Sequence, residues 1–101
     1  MLNHGRIAEL KSEVGEDDFA EVITLFCEEV EEMLDDLPST SQSQMAAKLH
    51  FLKGSALNIG LDAVGQMCST EEARLKNDPN TAPDITAIRS LYIASRDQLL
   101  K

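Results

Sequence analysis

From Phe19 to Leu37 the apolar residues Phe19, Val22, Ile23, Phe26, Val30, Met33, Leu34 and Leu37 recur three and four residues apart. Side chains spaced in this way gather on one side of an α-helix. The segment from about Glu16 to Leu37 is therefore expected to be a single helix with one face to bury, and a chain organised around it must pack further helices against that face. Its other faces carry Glu21, Glu28, Glu29, Glu31, Glu32, Asp35 and Asp36, which read as a solvated acidic surface.

The rest of the chain supplies those partners. Ile7, Leu10 and Val14 mark a short helix that stops at Gly15. After the turn "PSTSQSQ", Ser41 and Gln44 have the spacing of a capping box that opens a third helix running to Gly60. In "GLD" a glycine stop is followed by Asp62 as the expected cap of a fourth helix, about Asp62 to Asn77. "NDPNTAP" is a loop by composition, and Ile85, Ile88, Leu91, Tyr92, Ser95 and Leu99 outline a final helix. No alternating run suggests a strand. The expected fold is all-α, an antiparallel up-down four-helix bundle with a short additional N-terminal helix, in one domain spanning residues 1–101.

Composition narrows the function. A net charge of -9, with only acidic charges between Lys11 and Lys48, is unsuited to a phosphate backbone, so nucleic-acid binding is not expected. No apolar run approaches membrane-spanning length and the N-terminus has no signal-peptide core, so a cytoplasmic location is expected. Cys27 and Cys68 fall on or beside apolar stripes without CxxC spacing and read as reduced packing residues. The acidic second helix does not make a carboxylate di-metal bundle, because the position three before His50 is Ala47 and that before His4 is Met1, leaving no Glu-x-x-His pair. Nor is there a nucleotide-binding glycine loop.

The chemistry lies in "LHFLKGSALNIG", residues 49–60. A glycine inside a helix costs about 1 kcal/mol relative to alanine, so Gly54 needs a reason. At about 100° per residue, Met45, Leu49, Leu52, Ala56 and Ile59 form the core stripe, while His50 and Gly54 fall at about 140° and 180° from Met45, facing away from it. His50 should be exposed, with Ala46, Ala47 and Leu57 around it and Lys53 beside it. A missing Cβ at Gly54, one turn from the imidazole, leaves room for another molecule to approach the ring.

This stretch closely resembles the signature of histidine-containing phosphotransfer (HPt) domains, His-x-x-Lys-Gly-Ser-Ala with a closing glycine, here His50, Lys53, Gly54, Ser55, Ala56 and Gly60. The following "LDAVGQMCSTEEA" also resembles that family's next helix. The resemblance implies a phosphorelay carrier that is not a self-sufficient kinase. His50 would accept a phosphoryl group from an aspartyl phosphate on a response-regulator receiver or hybrid sensor kinase and pass it to another receiver. The unperturbed imidazole, with a pKa of about 6.5, is largely neutral and nucleophilic at cytoplasmic pH. Lys53 would neutralise phosphoryl charge, Gly54 would give access, and Ala46, Ala47 and Leu57 would form an apolar docking ring; Ser55 and Ala56 read as small packing residues. No cofactor is expected on this chain, Mg2+ being brought by the receiver. Some relatives use a glutamine on the next helix to orient the histidine ring; the matching position by offset from His50 holds Glu72, and the nearby Gln66 is the other candidate for that role. Glu71 falls where the family usually has an apolar residue, which implies either a rotated helix or a carboxylate reaching solvent at the end of the bundle.

Length and the opening Met lead to the expectation of a free-standing carrier, and a self-contained bundle with an exposed active face to that of a monomer. The same fold could instead serve as the phosphoacceptor domain of a chemotaxis-type kinase. A reading of another class is a module that docks receivers without accepting phosphate; retention of both His50 and Lys53 at motif spacing argues against it.

Overall fold

A computed structural model describes residues 2–101. The described residues form five α-helices and no strand: α1 (His4–Val14), α2 (Glu16–Asp36), α3 (Gln42–Asn58), α4 (Asp62–Asn77) and α5 (Ile85–Leu99), with one 3-10 turn, Leu37–Ser39, after α2. The element order agrees with the sequence reading, α4 begins and ends where it placed it, the loop expected at "NDPNTAP" falls between α4 and α5, and α5 carries the apolar residues expected of the final helix.

Gly15 separates α1 from α2. Its φ of +86° lies in the region glycine favours, and its N–H donates to the Lys11 carbonyl, ending the first helix. Glu16, Asp17 and Asp18 then fill the first turn of α2, where negative charge complements the helix dipole. The face of α2 that is wholly buried is narrower than the apolar pattern: Ile23, Cys27, Val30 and Leu34 are inside, while Phe19, Phe26 and Met33 pack from its flank.

These residues meet Met45, Leu49, Leu52, Ala56 and Ile59 from α3 and its C-terminal turn, Val64, Cys68 and Leu75 from α4, and Ile88 and Tyr92 from α5. The helices α2, α3, α4 and α5 close a ring of neighbours, α2 on α3, α3 on α4, α4 on α5 and α5 on α2, with α1 against α2. The closest pairing is α3 with α4. Burying each large aliphatic side chain contributes roughly 1.5–3 kcal/mol, so this shared core holds α3 in place from its inner side.

Two expected caps take a different form. Ser41 precedes α3, but its hydroxyl makes no capping bond and lies 3.3 Å from Ser43 Oγ; its carbonyl, not its side chain, accepts from the Gln44 N–H at 3.0 Å. The amide of Gln42 reaches across to the Pro79 carbonyl instead. Asp62 does not cap α4, since Leu61 occupies that position; the carboxylate sits in the first turn and accepts from Asn3 Nδ2 at 3.1 Å. Side-chain caps occur at Asn3, which accepts from the Arg6 N–H at 2.9 Å, and at Asp84, which accepts from the Ala87 N–H at 3.0 Å.

Glu71 corrects the expectation drawn from its family position. Val64, Cys68 and Leu75 are buried with it, so α4 is not rotated, and Glu71 is only 6% exposed. Arg74 Nη1 donates to both carboxylate oxygens at 2.8 Å. An ion pair one turn long replaces contact with solvent, because a charged group at this depth needs a partner.

Candidate functional site

The middle turns of α3 have their stripe buried, and everything opposite is left outward. The His50 side chain is 68% exposed. It shares a shallow depression with Phe51, Gly54, Ser55 and Asn58. A Cβ added at Gly54 would meet nothing within 4 Å, so the surface here is open rather than packed against a neighbour.

His50 is held from α4. Its Nδ1 lies 3.3 Å from Glu72 Oε1, a carboxylate only 13% exposed, whose Oε2 is 3.7 Å from Lys76 Nζ. A carboxylate accepts only, so in the neutral ring this contact favours the tautomer with the proton on Nδ1 and the lone pair on Nε2. Of the two candidates for orienting the ring, Glu72 is the one beside it. Gln66 is exposed and shares a different surface with Met67, Thr70, Asp84 and Ala87. Lys53 is half-buried, one turn beyond His50, and forms no ion pair among the described residues.

The expected apolar ring is rearranged. Ala47 is exposed as anticipated, but Ala46 packs against the core and offers only an edge. Leu57 is 38% exposed because its other side covers Gly65 of α4; a Cβ at Gly65 would stand 2.6 Å from Leu57 Cδ2. The largest apolar group beside His50 is Phe51, 67% exposed and absent from the expected ring. With Met33, Asp36, Gln44, Ala47 and Lys48 it lines a groove between α2 and α3. A phenyl ring at about 240° from Met45, outside the core stripe, was the available signal.

The far end of α3 is tied down by α1. Arg6 donates through Nε to the Asn58 carbonyl and through Nη2 to Asn58 Oδ1, both at 2.9 Å, and the Asn3 N–H donates to the Gly60 carbonyl at 2.7 Å. The two cysteines lie inside, as packing residues should. Burial is the main influence on both thiols and raises them, Cys68 to about 12, which keeps them protonated and unreactive. No group of three metal-ligating side chains assembles among the described residues.

An all-helical domain that presents the His50 imidazole outward from its third helix, with Nδ1 beside a carboxylate, is a helical module built around a surface histidine. The family model described as Hpt domain matches residues 21–98, well over half of the chain. The chain belongs to the Hpt domain family. Domains of this family serve histidine phosphotransfer in phosphorelays, as phosphocarriers rather than enzymes, between receiver domains and kinases. Searches of curated proteins and of solved structures return no significant match to the chain. No helix among the described residues is long and apolar enough to cross a membrane.

Proposed function

We propose that this chain is a cytoplasmic phosphorelay carrier, a single domain folded as an antiparallel up-down four-helix bundle plus α1, with His50 as its phosphoacceptor. The observation that carries the reading is the ring geometry: Nδ1 beside Glu72 Oε1 at 3.3 Å, on a side chain that is otherwise 68% exposed. The Nε2 lone pair bonds to phosphorus as the bond from phosphorus to the receiver's aspartyl oxygen breaks, and that electron pair leaves on the carboxylate. The reverse process delivers the group to the next receiver.

Such a reaction asks for in-line placement and charge neutralisation rather than for acid–base steps. Lys53 supplies a cation one turn from the ring. Gly54 keeps the approach clear. Phe51 and Ala47, with the outer side of Leu57, offer the apolar surface on which the receiver seats. Mg2+ travels with the receiver, and this chain needs no cofactor of its own.

The test uses a receiver domain carrying labelled aspartyl phosphate. Label should pass to the wild-type chain and then to a second, unlabelled receiver, and His50→Gln should take up none. Label on the His50→Gln protein would end the assignment. Receiver binding without any transfer to the wild type would favour a docking module instead.

A further inference from the structure

Glu72 divides its carboxylate between two cations or potential cations from opposite sides. Oε1 faces His50 Nδ1 at 3.3 Å, and Oε2 faces Lys76 Nζ at 3.7 Å, one turn further along α4. Glu72 is 13% exposed, whereas the Lys76 side chain is 72% exposed. The carboxylate is thus nearly enclosed, and its charge is shared with a lysine that lies outside the signature helix. We infer that Lys76 sets how firmly Glu72 holds the Nδ1 proton of His50, and through that how long a phosphoryl group stays on Nε2. The inference rests on His50 being the phosphoacceptor.

The chemistry follows from where the proton sits. Attack by Nε2 on phosphorus leaves the ring cationic, with the proton still on Nδ1. If Nδ1 keeps it, breaking the Nε2–phosphorus bond returns the electron pair to Nε2 and releases neutral imidazole, a good leaving group. If Nδ1 loses its proton to water, the same bond can break only by releasing an imidazolate, a much poorer leaving group, and the phosphoryl group persists. A carboxylate beside Nδ1 holds the proton with a charge-assisted bond, roughly twice as strong as a neutral one. The Lys76 ammonium draws part of that charge away. Lys76 therefore lengthens the lifetime of the loaded state, and Glu72 shortens it.

Three charged groups bear on this point: Glu72, which contacts the ring, Lys76, which reaches the far oxygen of that carboxylate from α4, and Lys53, one turn along α3. Only Lys76 can be changed without touching either the bond to the imidazole or the cation proposed to meet the phosphoryl group. It is a tuning and positioning residue, acting through Glu72 and not on phosphorus.

The experiment loads the full chain with phosphoramidate, a small phosphoryl donor, and follows loss of the phosphoryl group from His50 in water and its transfer to a receiver. Lys76→Met should shorten the half-life about threefold, the size of effect expected from losing a largely exposed ion pair. Lys76→Arg should restore the wild-type value, and Glu72→Gln should lengthen it. Nitrogen chemical shifts of the unloaded His50 ring should report a proton on Nδ1 in the wild type and in Lys76→Met, which separates tuning of charge from loss of ring orientation. Lys11→Met, which makes the same change in net charge on α1, should behave as wild type. An unchanged or longer half-life in Lys76→Met, or an equal shortening in Lys11→Met, would overturn the inference while leaving His50 as acceptor. A wild-type chain that takes no phosphoryl group on His50 would overturn both.

Discussion

Gly54 and His50 form one unit at the scale of single residues. A glycine in an exposed helix interior weakens the helix, and here no neighbour occupies the space a Cβ would fill. Gly54→Ala should therefore stabilise the fold by about 1 kcal/mol, measurable in urea denaturation, while transfer from a phosphorylated receiver becomes slower. If the substitution accelerates transfer or destabilises the fold, the access role assigned to Gly54 is wrong. The outward direction of His50 could be read from sequence because helical periodicity alone fixes it. The residue that holds its ring could be narrowed only to two, since Glu72 lies 22 positions beyond His50, across a turn whose geometry no periodicity encodes. Phe51 escaped for another reason: helical periodicity places it outside the core stripe, but only the packed helices show that it stays 67% exposed and borders a groove between α2 and α3.

Within α3 and its neighbours, a second glycine behaves in the opposite sense. Gly60 has φ +78°, and a Cβ there would stand 2.7 Å from Ile7 Cγ1 and 3.1 Å from the Asn3 carbonyl oxygen. Gly60→Ala should destabilise the protein by about 1–3 kcal/mol, in contrast to the stabilising change six residues earlier, and thermal denaturation of the two variants side by side checks the contrast. The glycine stop was legible in the sequence, as were the span of α4 and the apolar face of α5. The clamp that α1 places over it through Asn3, Arg6 and Ile7 was not, because contacts between segments more than 50 residues apart leave no local signal. The capping expectations at Ser41 and Asp62 failed for a related reason. A capping side chain is free to choose another partner, and here Asn3 claims Asp62 while Ser41 turns to Ser43.

For the molecule as a whole, the core carries groups that fold best uncharged. Burial is the leading cause that raises Cys27, Cys68 and Tyr92 above their ordinary values, and the bond from Tyr92 Oη to Glu31 Oε2 at 2.7 Å adds to the effect on the phenol. Above pH 9 the unfolded chain begins to release its thiol protons, while the folded chain keeps Cys68 protonated to about 12. The unfolded state then binds fewer protons, so stability is fully present below pH 9 and falls as pH rises, by up to about 1.4 kcal/mol per pH unit for each such group. Urea titrations from pH 8 to 10.5 should show this decline, with a shallower slope in Cys68→Ala; stability that stays flat or rises over this interval would contradict it. The described chain measures 45 × 22 × 20 Å, and His50 sits in the middle of a continuous 17-residue helix rather than on a loop. If His50 is the phosphoacceptor proposed above, its place on a continuous helix leaves any change of shape that governs the meeting to the receiver that approaches it.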